Sequence, residues 1–529
     1  MKAFNAILKQ TIRSAMRSKV FIVLFALILV CVIGLPLTIR GDNTAAGLIR
    51  VSLTYALNLV IALVSASCLW LGCSLLSSEI EGYQIHLVVT KPCHKWVFWA
   101  GKCVGVFLMH AVILVISMFV IYGLTFYRLN SAHKSGLFTD ADIQKLRQES
   151  LVARRQFRPK LPDLQDKVVK EYEKRIAQGT VDARMDELAV KKSIMQELMA
   201  DATRNTTVKP GEQHTWEFEN IVLPKENPLL YLRFRMYSND NTNTDQRQIP
   251  LDLGFQVYAD ENGKEQPRSG SGIPFASYAE AQGNPFIMPG GSWQELSTIP
   301  ANAPRNEEGL IVLKENQVPV YANMIVDRDT NNSAKVVIAN LSVLPDKSTV
   351  PEDEESQKAY DRMVRNATAV FQFADGPILL CPVTSFFDNY LRTMLMALFQ
   401  LAFLAALGCT VGALFSTPVA VFAAIAYIVI GLVVPTAMDA PLRAEDGSYM
   451  YKNGWERGAH YMAKVVQTLV VTVDDLNCTG DLANGQLVEN DKIGWSFLKV
   501  LVIRSGLLGL VGILCLYRRE LGLVVRRIS

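Results

Sequence analysis

Two uninterrupted apolar runs, Val51–Leu76 and Cys103–Phe126, set the first limit on what this chain can become. Neither contains Asp, Glu, Lys or Arg. Each exceeds the roughly 20 residues that, at about 1.5 Å per residue, cross a hydrocarbon core of about 30 Å. A backbone inside hydrocarbon must satisfy its own hydrogen bonds, so runs of this kind predict helices. Four more follow the same rule: Val20–Ile39, Thr393–Phe415, Val419–Met438 and Ser496–Tyr517. The expectation is a membrane α-helical bundle of about six spans.

Composition supports a chain of two unlike parts. A mean hydropathy of +0.19 with 19% charged residues over 529 positions suits neither a purely soluble nor a purely membrane protein. Residues 1–126 and 390–517 are rich in Leu, Val, Ile, Ala and Phe, whereas 128–388 is polar. A net charge of +3 says less than where the charges sit. Lys9, Arg13, Arg17 and Lys19 flank the first span, and Arg518, Arg519, Arg526 and Arg527 follow the last. The positive-inside rule then puts both termini in the cytoplasm of a plasma (bacterial inner) membrane and residues of about 127–388 outside it.

Residues 1–19 carry Phe4, Ile7, Leu8, Ile12, Ala15 and Met16 at helical spacing, with basic residues on the rest of the wheel. That pattern suits an amphipathic helix lying in the membrane interface. The run after it is longer than a signal-peptide core and no small-residue cleavage site follows, so 20–126 is expected to hold the first three spans. Tyr122, Phe126 and Tyr127, with Phe386, Phe387 and Tyr390, are placed to form an outer aromatic belt.

The insert divides in two. Residues 127–212 are expected to form a helical hairpin, with Leu164, Val168, Tyr172 and Ile176 on one stripe and Val181, Met185, Leu188, Met195 and Met199 on the other. Pro159 and Pro162 break it early and Gly179 marks its turn. From 213 to 388 the period becomes 2. Leu230, Leu232, Phe234 and Met236 share a face, as do Leu251, Leu253, Phe255 and Val257. Further short alternating runs at Trp293–Ile299, Leu310–Lys314, Val318–Val326, Ala334–Val343 and Ala369–Phe373 point to an antiparallel β-sandwich of jelly-roll type. Tyr231, Arg233, Arg235 and Tyr237 fall on the opposite face, a candidate outer binding face for sugar or peptide, against the plainer reading of a packed or solvated surface. Spans four and five occupy 389–438. Residues 439–495 form an outer loop with a short apolar helix at about 463–473, 496–517 is span six, and 518–529 is a basic cytoplasmic tail.

Cysteine usage gives no disulfide framework. Of nine cysteines, only Cys381 and Cys478 fall in polar outer regions, and whether they pair stays open. Six histidines are scattered without ligand spacing, so neither a metal nor a bound cofactor is expected, and no nucleophile–base set marks a catalytic site. Arg504 stands well inside span six, where a charge needs a partner or a watery cavity; possible translocation or intramembrane pairing is its reading. Lys499 lies near enough to the interface to snorkel.

The segment between spans two and three is more structured than an anchor requires. Glu79 and Glu81 open it, a helical-looking piece and a Lys91-Pro92 break follow, and Lys95, Trp96, Trp99, Gly101 and Lys102 close it. With these residues the chain resembles the permease subunits of type-2 ATP-binding-cassette (ABC) transporters. In that family an acidic pair, a proline and a Gly-Lys pair recur in this loop; here Tyr83 replaces a more usual Thr and Lys95 an Arg. The basic helix running from Lys9 into Leu27 is similar to that family's elbow helix. The Phe415–Ala420 turn and the Tyr517–Leu521 closure fit the same pattern.

The resemblance implies a coupling helix within 79–102 that seats on a separate ABC ATP-binding subunit. Glu79, Glu81, Lys91 and Lys95 would then make polar contacts, with Gly82 and Pro92 shaping the turn and Ile80, Ile85 and Leu87 as apolar anchors. It also implies a homodimer or heterodimer in the lipid membrane, with ATP-Mg bound by the partner and no nucleic acid. The chain itself lacks a phosphate-cradling loop, since Trp96 stands where the first glycine of the motif before Gly101-Lys102 is needed. The competing reading is a membrane-anchored binding or scaffold protein that recognises a glycan or envelope protein through its β-sandwich.

Overall fold

The computed structural model describes residues 2–38, 44–82, 94–149, 151–160, 164–178, 187–224, 228–238, 248–259, 275–289, 293–300, 303–305, 311–313, 316–351, 353–438 and 476–518, with a few isolated positions besides. The chain forms two compact units, one from residues 1–153 and the segments after 383, the other from 154–383.

In the first unit, α1 (Lys2–Met16) precedes α2 (Lys19–Thr38), α3 (Ala45–Glu81), α4 (Lys95–Lys134), α5 (Phe386–Leu414), α6 (Thr417–Met438) and α7 (Asn490–Arg518). Five of these, α2, α3, α4, α5 and α7, are long and apolar enough to cross a membrane, which marks this unit as membrane-embedded; α6 is a further apolar helix. The helices α3 and α4 run to 37 and 40 residues. Both outrun the expected spans, because nothing in their flanks breaks a helix until Gly82 and Ser135. Their lengths, about 55 and 60 Å, exceed a hydrocarbon core by nearly a factor of two.

Packing in this unit is governed by small residues. Gly72 of α3 lies against Gly408 of α5, where an added Cβ would meet the facing Cα at 3.1 Å, and a Cβ on Gly412 would come within 2.6 Å of the Cys73 carbonyl oxygen. Gly408 and Gly412 form a Gly-x-x-x-Gly step, the spacing that lets two backbones close on each other in lipid. The helix α1 docks the same way: Gly101 and Gly105 of α4 receive Ile7 and Thr11, each within 2.8 Å of where a Cβ would stand. The buried stripe of α1 is therefore Ile7, Thr11 and Ala15, while Met16 is exposed. Ile7 and Ala15 belong to the expected apolar face; Thr11 joins them because it meets Gly105 of α4.

The aromatic group expected as a belt is largely core. Tyr390 is fully buried, donates its hydroxyl to the Met118 carbonyl at 2.6 Å, and packs 5.2 Å from Tyr122. Only Tyr127 and Phe387 of the six stay exposed. Close by, Asn389 bonds Gln486 and Val488, and Thr479 bonds Asn58, so the segment before α7 is fastened to α3 and α5. The apolar helix expected at 463–473 lies outside the described residues.

The second unit is β-rich. Strands β1 (Val152–Phe157), β2 (Asn205–Val208), β3 (Gln213–Phe218), β4 (Tyr231–Arg235), β5 (Tyr237–Ser238), β6 (Gln248–Gln256), β7 (Phe275–Ser277), β8 (Phe286–Pro289), β9 (Trp293–Ile299), β10 (Gln317–Tyr321), β11 (Ala334–Asn340), β12 (Ala369–Gln372) and β13 (Ile378–Ser385) build three sheets. One runs β1-β13-β4-β9-β10, one β3-β11-β6-β7 with β8 also on β6, and a small one β2-β12-β5. Leu232, Phe234, Leu296 and Leu379 of the first sheet share one core with Phe218, Leu251, Phe255, Val336 and Ile338 of the second. The alternation in β4 and β6 buries the residues it predicts: Leu230, Leu232, Phe234, Met236, Leu251, Leu253 and Phe255 are all fully buried.

Three expectations for this region change. β9 and β10 pair in parallel, so the sheets are not wholly antiparallel. Val152–Phe157, expected within a helical stretch, is an edge strand, because pairing with β13 outweighs the helix propensity of its neighbours. In the helices Gln165–Ala177 and Glu187–Arg204, Val168 and Tyr172 face the second helix as expected, whereas that helix buries Val190 and Ile194 beside the expected Met195; Val181 and Met185 lie outside the described residues. Asn340 is locked in place by bonds to the Val208 and Ala367 carbonyls. Cys381 and Cys478 are free and buried, and burial pushes the Cys381 thiol up to about 11, which leaves it protonated and inert at neutral pH.

Two outcomes follow from this packing. Gly412→Leu sets a side chain against backbone that cannot move aside, so the full-length protein should accumulate in membranes several-fold less than a Gly123→Leu control, which has open space around it; equal amounts would show that the α3–α5 approach is not limiting. His214, on β3, exposed at its edge and with its ring 4.5 Å from the Trp216 ring, has its imidazole pushed below the usual range by the partial desolvation that neighbour imposes. Its neutral form belongs to the fold, so its contribution is whole above the ordinary imidazole value and lost as pH falls through the lowered one. Hydrogen-exchange protection of β3 and β11 amides should drop on mild acidification, and His214→Phe should flatten that part of the profile.

Candidate functional site

Of the residues singled out in the 79–102 segment, the described ones lie at the shared end of α3, α4, α6 and α7, and Glu79 and Lys95 are already engaged there. Glu79 sits in the last turn of α3 and Lys102 in the third turn of α4, and the two form a salt bridge with side chains only 8% and 1% exposed. The Lys102 ammonium also stands 5.6 Å over the Phe98 ring. This pair closes the loop from within, joining residues 23 apart in sequence. Glu79 therefore does not present its carboxylate to a partner, a correction to the expected role, because Lys102 lies on the α4 face turned toward α3.

Lys95 is spoken for as well. Its Nζ donates to the Leu516 carbonyl at 2.8 Å and lies 5.5 Å from the Tyr517 ring centroid. A lysine at a helix C-terminus satisfies orphan carbonyls and opposes the helix dipole; here it caps α7 from the start of α4. One turn on, Trp99 packs over Gly509 and Gly512 of α7, and Thr410 of α5 donates to the Leu508 carbonyl at 2.9 Å. At the end of α3, Ser77 bonds Thr417 of α6 at 2.6 Å. Loop ends, α6 and α7 are thus tied at one place.

What remains outward is a short list. Glu81, Gly82, Ser78, His94 and Trp96 are exposed, and Ile80 is half-buried against the bundle core. Ile85, Leu87, Lys91 and Pro92 lie outside the described residues. The Lys95, Lys102, Trp99 and Ser77 contacts went unread from sequence. For the Trp99 contact the sequence does hold a signal, the spacing of Gly509 and Gly512, glycines inside an apolar run that make room for the ring.

Arg504 ends a π-helical stretch, Phe497–Arg504, near the middle of α7. It is half-buried and engaged. Insertions of this kind widen a helix locally and concentrate at functional positions; here Ser505 donates back to the Val500 carbonyl at 2.9 Å. Lys499 is exposed and lies 5.9 Å from the Trp495 ring.

The expected binding face on β4 is a ladder that satisfies itself. Tyr231 is buried, beneath the Arg154 guanidinium at 5.6 Å, which in turn pairs with Glu295. Arg233 stacks 4.6 Å over Trp293, and Arg235 lies 5.1 Å over Tyr237 while donating to the Gly291 carbonyl. The Tyr237 hydroxyl donates to Asp375; burial, then this bond, pushes the phenol up. Tyr231 is thus no part of an exposed face, and Trp293, 40% exposed, is the ladder's most open ring. Among the described residues no group of three or more His, Cys, Asp or Glu side chains could hold a metal ion.

Comparison with known protein families, curated proteins and solved structures gave no match.

The buried pair yields a direct test. Removing one partner strands the other charge, so Glu79→Gln or Lys102→Met should destabilise the detergent-solubilised chain by about 3–5 kcal/mol. The double change Glu79→Leu with Lys102→Met should cost less than either single change. Additive losses in thermal or denaturant unfolding would rule out direct pairing.

Proposed function

We propose that this chain is the membrane-spanning permease subunit of an ABC transporter, coupled through residues 79–102 to ATP hydrolysis on a separate subunit, and that it moves its cargo outward. One observation carries the reading: the ends of this loop are fastened to four helices at once, through Glu79–Lys102, Lys95–Leu516 and Ser77–Thr417. A push delivered at Glu81, Gly82 or Trp96 would reach helix ends that are already tied to one another. It would move α3, α4, α6 and α7 as one piece, which is what transmission of a power stroke requires. Glu81, Gly82 and Trp96 are the described residues free to meet the ATPase, while Glu79 and Lys95 act as struts behind them. ATP-Mg belongs to the partner subunit, and a second permease chain completes the assembly in the plasma membrane with both termini cytoplasmic.

The reading of a membrane-anchored scaffold draws on Trp293 and Arg233, the open end of the ladder. It assigns no purpose to the ties around Lys95, and we place it second.

The complex purified with its native ATP-binding subunit separates them. Glu81→Lys should weaken subunit association, and Lys95→Met should keep association yet lower permease-dependent ATP turnover, by about 5- to 150-fold if the coupling is of ordinary allosteric size. Association and turnover unchanged in both variants would overturn the assignment.

A further inference from the structure

Helices α2, α3, α5 and α6 surround a cavity of about 600 Å³, inside the roughly 300–1,000 Å³ span of small-molecule sites. Its wall is mostly aliphatic and aromatic, with Leu24, Ala66, Leu69, Phe403 and Ile428 typical, and among the described residues no Asp, Glu, Lys, Arg or His lines it. The polar exceptions are few, and one stands out by its place. Gln400 is the central residue of α5, in a span where an amide is costly unless paired. An amide offers two N–H donors and a carbonyl acceptor. The single hydrogen bond of Gln400 among the described residues is a long one, Nε2 to Ser65 Oγ at 3.4 Å. A donor and the carbonyl oxygen remain for whatever enters.

We propose that this cavity binds an uncharged, long-chain amphiphile, with the alkyl chain against the aliphatic wall and one hydroxyl or ester group on Gln400. Charge complementarity selects the class. An ionised headgroup drawn to Gln400 would be stripped of water with no opposite charge on the wall, whereas a hydroxyl or ester exchanges one hydrogen bond for another. A pure hydrocarbon would fill the space and leave the amide unpaired. That such a molecule is the cargo rests on the transport reading; that it binds does not.

Binding is tested on the purified full chain in phosphatidylcholine nanodiscs without any ATPase, so that its failure is distinct from a failure of coupling. The probe is hexadecanol bearing a mid-chain diazirine, irradiated and mapped by peptide mass spectrometry. Adducts are expected on the cavity-lining positions Ala62, Ala66, Leu69, Val421, Ile425 and Ile428. Excess hexadecanol should displace them, and hexadecyl sulfate or hexadecyltrimethylammonium should not. Ala66→Trp, which fills the cavity, should abolish these adducts. Gln400→Leu should reduce the preference for hexadecanol over hexadecane by about three- to tenfold, the worth of one hydrogen bond; it decides the matter alone if the Trp variant does not accumulate. Adducts spread over outward residues such as Phe422 and Val429 and undisplaced by hexadecanol would mean bulk bilayer contact and overturn the proposal. Equal competition by the charged analogues, or an unaltered preference in Gln400→Leu, would overturn it too.

Discussion

Helices in hydrocarbon gain nothing from hiding apolar side chains from one another, because lipid is as apolar as leucine. They hold together by close backbone approach, dispersion contact and a few hydrogen bonds. The crossing of α3 and α5 meets that demand at Gly72, Gly408 and Gly412, and the other helices are arranged around it. Thr410 of α5 bonds α7, Tyr390 of α5 bonds α4, and Ser77 of α3 bonds α6. Side chains at the three glycines would force the two backbones apart. The cavity lined by Gln400 borders the same crossing, where α2 and α6 diverge from it.

Charge at one end of the bundle is used economically. A buried ion pair gains little net stability, since desolvation consumes most of the Coulomb attraction; its effect is to make every other register expensive. Glu79 and Lys102 form a hydrogen-bonded pair only when the end of α3 and the start of α4 stand in one alignment. Lys95 sets the remaining helix by occupying the carbonyls at the end of α7. Three polar ties in a region otherwise apolar thus join the described ends of four helices.

The β-rich unit shows how alternation and exposure come apart. Leu232 and Phe234 face a common core, so Tyr231, Arg233, Arg235 and Tyr237 must face away from it. Facing away did not leave them open. Arg154 from β1 covers Tyr231, and Trp293 from β9 covers Arg233, because strands distant in sequence lie on either side of β4. Period 2 reports which face a residue takes. It carries no information about which neighbours arrive on that face.

Much of the architecture is written locally. Long uncharged runs demand helices that pair their own backbone groups, and strict alternation in β4 and β6 demands half-buried strands; both are properties of a few consecutive residues. The membrane-embedded part and the β-rich insert were readable on those grounds. The partnership of Glu79 with Lys102, the hold of Lys95 on α7, the strand at Val152–Phe157 and the cavity beside Gln400 were not. Each depends on residues from 23 to more than 400 positions apart meeting in space, and local periodicity has no term for such encounters. Sequence by itself determined the helices of the uncharged apolar runs and the core-facing residues of β4 and β6, because those patterns are local; tertiary packing alone decided which charges were consumed as struts and which polar group was left facing a void.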